Sequence, residues 1–122
     1  IFNALEPLFA ANPNLIFDGE LYCDKLANDF NKIVSLVKKS KPTAADLDES
    51  AKTIQYHIYD LPSVGEKFRE RYFTLMTLEL PDCCVLVRTD VAVNEAAVER
   101  LYGDGCVAHL ARACHDPSRR CD

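Results

Sequence analysis

Two stretches of this chain alternate with period two, and their spacing restricts the fold more than any other feature. From Leu15 to Tyr22 the residues sort by parity, with Leu15, Phe17, Gly19 and Leu21 on one side and Ile16, Asp18, Glu20 and Tyr22 on the other. From Thr53 to Asp60 the pattern returns, placing Ile54, Tyr56 and Ile58 opposite Gln55, His57 and Tyr59. Such alternation marks a strand whose two faces meet different surroundings. Between the two runs the spacing becomes helical: Leu26, Phe30, Ile33, Val34 and Val37 recur along one stripe, Asp24 is placed to cap it, and Lys38 and Lys39 sit at the negative end of its dipole. Strands and helices both occur, and the architecture expected is α+β.

The remaining segments fill in that plan. Ile1 to Ala11 reads as a short helix with Leu5, Leu8 and Phe9 on one side, stopped by Asn12-Pro13-Asn14. After Lys41-Pro42, Thr43 and Asp46 resemble a capping pair for a short polar helix reaching about Lys52. Leu61-Pro62-Ser63-Val64-Gly65 is a turn, and Phe68, Tyr72, Leu75 and Met76 predict a helix ending before Pro81, with Arg69 and Arg71 on or near its exposed side. Cys83 to Thr89 reads as a third strand buried on both faces, and Asn94 caps a last helix through Ala97, Val98 and Leu101. We therefore expect strands near 15–22, 53–60 and 83–89 in an antiparallel or mixed sheet flanked by helices.

The 122 residues are 48% hydrophobic and 27% charged, enough for one core. The net charge of −5 argues against this segment alone gripping a nucleic-acid backbone, which is held by cationic groups. No apolar run of about 20 residues and no basic-then-apolar leader is present, so the expected protein has no membrane span and is cytoplasmic. Reduced thiols are then expected for the six cysteines, two of which, Cys83 and Cys84, are adjacent. The chain opens on Ile1 with an apolar first turn, which reads as the interior of a longer protein.

Two of these segments carry a family likeness. Leu15-Ile16-Phe17-Asp18-Gly19-Glu20-Leu21-Tyr22, followed by Ile54-Gln55-Tyr56-His57-Ile58-Tyr59-Asp60-Leu61-Pro62, resembles the third and the adjoining IIIa motifs of ATP-dependent DNA ligases of phage and bacterial type. The helix from Asp29 to Val37 and the Lys67-Phe68-Arg69-Glu70-Arg71-Tyr72 stretch are similar to that family too. The likeness runs over roughly residues 3–102. It implies the central part of a nucleotidyltransferase (adenylation) domain, partial over residues 1–105. The implied activity is nick sealing in duplex DNA through a lysyl adenylate and a DNA adenylate, as used in DNA replication, repair and recombination, with ATP and Mg²⁺ required. Carried over residue by residue, it makes Glu20 a contact to the nucleotide and a metal-side carboxylate, and Tyr59 the aromatic wall of the adenine pocket. The chemistry suits these types: Mg²⁺ takes oxygen from one or two carboxylates, and a π face stacks on a base. Asp18 is as readily a shaper of the turn before Gly19. His57 matches no functional position of the motif and reads as a strand histidine.

The likeness has gaps. The nucleophilic lysine of Lys-x-Asp-Gly is not found, since Ile16 and Tyr102 stand two residues before the Asp-Gly pairs at 18–19 and 104–105. No catalytic residue is therefore assigned, and this chain alone is expected to be unable to form the adenylate. Residues 106–122 change in texture, as a divergent or frameshifted tail would. Three alternatives stay open, one of them a degenerate, inactive remnant, in keeping with the missing nucleophile. RNA ligases and capping guanylyltransferases share the fold and an acidic third motif, and Cys106, His109, Cys114, His115 and Cys121 could staple Zn²⁺ in a non-enzymatic interaction module.

Overall fold

Five helices and three short strands make up the computed structural model, which describes residues 1–103. The tail at 106–122, with its candidate zinc ligands, lies outside the described residues, so the expectations placed on it are neither met nor overturned. Ile1–Arg88 form one unit, and a second begins at Thr89.

In the first unit, α1 (Phe2–Ala11) is followed by β1 (Asp18–Tyr22), a single 3₁₀ turn at Asp24–Leu26, α2 (Phe30–Lys38), α3 (Ala44–Thr53), β2 (Gln55–Asp60), α4 (Phe68–Met76) and β3 (Cys84–Leu86). In the second, Asn94 caps α5 (Glu95–Gly103) as expected, its Oδ1 accepting the Ala97 N–H at 2.9 Å. The strands form one mixed sheet in the order β1-β2-β3. β1 pairs antiparallel with β2, Leu21 facing Tyr56 and Glu20 facing His57, while β2 runs parallel to β3.

Several elements differ from the sequence expectation for visible reasons. The first strand starts at Asp18 because Leu15–Phe17 find other partners: the Leu15 N–H donates to the Asn12 carbonyl at 3.0 Å, and the Ile16 N–H to Ser63 Oγ at 3.0 Å. Ile16 accordingly joins Leu15 and Phe17 along one groove instead of sharing the Asp18 side. Asp29, not Asp24, caps α2, its Oδ1 accepting the Lys32 N–H at 3.0 Å. The third strand is three residues long and only half-buried, since β3 lies at an edge of the sheet as described. Thr43 and Asp46 do form the full capping box on α3. Cys23, Cys83 and Cys84 are free thiols.

Two apolar clusters hold the unit together. Cys23, Ile33 and Ile54 pack with Tyr22, Leu26 and Leu36 beneath α2. Ile58, Leu61 and Leu75 are fully buried and tie β2 to α4. Complete burial of an aliphatic side chain of this size is worth about 1.5–3 kcal/mol, so this trio fixes the C-terminal end of β2 against α4. No helix among the described residues is long and apolar enough to cross a membrane.

Candidate functional site

Gly19 decides how closely the two motif-bearing strands approach. A Cβ at this position would run into the carbonyl oxygen of His57 and would lie 2.8 Å from Cε2 of Tyr56. Only a residue without a side chain allows β2 to sit there. The glycine of the Asp-Gly-Glu sequence thus has a packing reason, independent of any ligand.

Next to it the ladder is irregular. Gly19 pairs with Ile58 and Asp18 with Asp60, so Tyr59 is the extra residue of a β-bulge. Bulges re-aim side chains, and here the Tyr59 phenol lies near enough to the Glu20 carboxylate across the strand pair for that group to act on it. Partial burial first, then the Glu20 carboxylate and the negative charge of Asp18, push the Tyr59 phenol far above its usual range. The phenol therefore stays protonated at any physiological pH and is a fixed donor. The structure brings together the two residues assigned from sequence, and it brings Asp18 near them: its charge acts on Tyr59 and also, after burial, raises the phenol of Tyr56.

As a cation site the cluster is open and oxygen-only. Glu20 and Asp18 are exposed carboxylates on one short strand, and among the described residues no group of three or more His, Cys, Asp or Glu converges. That donor set fits Mg²⁺, which keeps most of its water and accepts one or two carboxylates, and does not fit a closed Zn²⁺ site. The half-buried Tyr59 ring offers the aromatic surface.

The large groove of the first unit is elsewhere. Its volume is about 810 Å³, and it runs between α1, α2 and α3 over the Leu21–Tyr56 pair, with neither Glu20 nor Tyr59 in its lining. Its walls are mainly apolar. His57 is 5% exposed and meets Tyr22 edge-on at 5.3 Å between ring centroids, as a packed strand histidine does.

One participant was not visible in the sequence pattern. Arg71, expected on or near the exposed side of its helix, reaches the end of β2: its Nε donates to Asp60 Oδ1 at 2.8 Å and its Nη2 to Asp60 Oδ2 at 2.9 Å. The guanidinium holds the Asp60 carboxyl below its ordinary range, helped by the Leu61 N–H. The only sequence signal was an aspartate at the last position of a strand with an arginine on the following helix, a pairing that spacing alone does not specify. Neither a family model, nor a curated protein, nor a solved structure matches the chain.

Proposed function

We propose that this chain supplies part of the ATP pocket of an ATP-dependent DNA ligase of nucleotidyltransferase fold, with nicked duplex DNA as the parent protein's partner. The observation that carries the reading is the meeting of Glu20 and Tyr59 across the β1–β2 pair, at a bulge that aims the ring. The family likeness of the two strands named these residues, and the packing joins them.

In this reading the Tyr59 ring forms one wall for the adenine, a contact of about 1–3 kcal/mol per base. Its hydroxyl lies beside Glu20, and in this reading Glu20 faces the ribose side of the nucleotide. Glu20, with Asp18 beside it, would hold Mg²⁺, which supplies charge neutralisation at the phosphates. The first step is attack of a lysine on the α-phosphate with loss of pyrophosphate; AMP then passes to a 5′-phosphate, and the 3′-hydroxyl displaces it. None of the seven lysines of these 122 residues stands in a Lys-x-Asp-Gly sequence, so in this reading the nucleophile belongs to another segment.

Titration of the isotopically labelled chain with AMP and with GMP, each with Mg²⁺, tests this. Expected are shifts confined to Gly19, Glu20 and the Tyr59 ring, larger for AMP, and lost in Tyr59→Ala. Equal or larger shifts with GMP would move the reading to a guanylyltransferase. No shift with either nucleotide, in a chain shown to be folded, would overturn it.

A further inference from the structure

We propose that Arg71 is a positioning residue for the Glu20–Tyr59 pair, acting through Asp60. Asp60 follows the bulged Tyr59 directly and is where pairing with β1 resumes, opposite Asp18. The direction of the Tyr59 ring therefore depends on how the backbone at Asp60 is held.

That backbone is held by three bonds to one carboxylate. Oδ1 accepts the Leu61 N–H at 2.7 Å and Arg71 Nε at 2.8 Å, while Oδ2 accepts Arg71 Nη2 at 2.9 Å. The third nitrogen of the guanidinium, Nη1, donates to the Glu66 carbonyl at 2.7 Å. One planar group thus fastens the last residue of β2 to the end of the loop that leads into α4. The same loop is tied to the other strand, because Ser63 Oγ accepts the Ile16 N–H two residues before β1.

The helix that carries Arg71 is fixed in turn. Leu75 lies four residues on, along the same face, and is fully buried against Ile58 and Leu61. Its anchoring leaves the Arg71 head little freedom, and the ring of Phe68 packs beneath the guanidinium at 5.6 Å. A fork of this geometry reaches two carboxylate oxygens and a carbonyl together, whereas a lysine ammonium offers one point of charge. A group oriented by packing, orienting in its turn a residue at a bulge, is how a site is held in register.

The test uses Arg71→Ala, Arg71→Lys and, as a control, Leu5→Ala, which removes buried volume from α1 without touching the clamp. The readouts are the nuclear Overhauser contacts between the Tyr59 ring and Glu20, and the dissociation constant for AMP with Mg²⁺. In folded Arg71→Ala the contacts are expected to vanish and AMP to bind roughly tenfold more weakly, the scale of a lost oriented stacking partner. Arg71→Lys falls between, and Leu5→Ala keeps the contacts. If Arg71→Ala does not fold, Arg71→Lys decides. Unchanged contacts in the folded Arg71 variants, or their equal loss in Leu5→Ala, would overturn the inference. Its bearing on nucleotide binding rests on the function proposed above: loss of the contacts in a protein whose parent chain binds no AMP would leave the positioning role standing and remove that function.

Discussion

Of the described glycines, Gly19 is the one where an added methyl should damage the fold most. The added Cβ meets the His57 carbonyl, which belongs to the middle strand and cannot rotate out of the way as a side chain could. It also lies 2.8 Å from Cε2 of Tyr56, where ordinary contact begins at 3.4 Å, so the ring must retreat by about 0.6 Å. That retreat pulls on the Tyr56 hydroxyl, whose bond to the Phe17 carbonyl is already 3.4 Å long. Overpacking costs about 1–3 kcal/mol when side chains absorb it. With backbone as the obstacle, the upper end, about 3 kcal/mol, is expected, a large part of the roughly 5–15 kcal/mol that holds a domain together. Urea unfolding followed by far-ultraviolet circular dichroism measures this. At a slope of about 1–3 kcal/mol per molar, the midpoint should fall by at least about 1 M. Gly65→Ala is the matched control: nothing lies within 4 Å of its Cβ and its backbone is outside the left-handed region, so stability should hold or rise by about 0.4–1 kcal/mol. A Gly19→Ala midpoint equal to that of the parent, or an equal fall in Gly65→Ala, would refute the packing account of this glycine.

Thr43→Ala removes the side-chain acceptor of the capping box on α3, leaving the backbone N–H at position 43 bonded to Asp46, and should cost about 1 kcal/mol in thermal or urea unfolding. The ion pair to Lys39 at 2.7 Å first, then the bonds from Thr43, hold the Asp46 carboxyl at about 2, below the ordinary 3.8. Because the folded value is the lower one, its contribution is complete above the ordinary value and disappears as pH falls toward about 2. Asp46→Asn should therefore flatten the acid limb of stability against pH, measured as urea midpoints, and leave the neutral region without slope. Ile16 and Leu47, both more than half exposed along the apolar groove, should support dye binding and self-association; Ile16→Ser with Leu47→Ser is expected to reduce the fluorescence of a bound hydrophobic dye and raise solubility.

What the sequence made legible was local or set by parity. Thr43 and Asp46 are three residues apart, so their box is written in the chain itself. Alternation survives from Gly19 to Tyr22 and from Gln55 to Ile58 and breaks at Tyr59, so Glu20 and Tyr59 were named together by the family likeness and not by parity. Illegible were the features that depend on which partner arrives. Asp24 and Asp29 are equally good caps by composition, and the choice fell to Asp29 because Cys23 is buried with Ile33 and Ile54, turning Asp24–Leu26 into a single 3₁₀ turn. Leu15–Phe17 alternate like a strand, yet the Ile16 N–H goes to a serine 47 residues away. The apolar run at Cys84–Leu86 promised burial on both faces, and its place at a sheet edge leaves it half exposed. Arg71 looked solvated until Asp60, eleven residues earlier, was brought beneath it.

The candidate site and the apolar groove are consequences of one register. Glu20 facing His57 puts the carboxylate side on one face of the β1–β2 pair, and Leu21 facing Tyr56 puts the groove side on the other. A slip of one residue would exchange the two faces, bringing Glu20 and Asp18 against the apolar lining and Leu21 into their place. Such a slip would bury carboxylates without partners, at a cost of several kcal/mol, so the pattern of the sequence itself opposes it. The pattern does not oppose a change at the last pair, where the bulge at Tyr59 could be lost with Asp18 opposite Tyr59 and every other pairing kept. There the Asp60–Arg71 clamp and the Ser63–Ile16 bond are the forces that select the observed arrangement, which is why weakening them should redirect Tyr59 while leaving the groove unaltered.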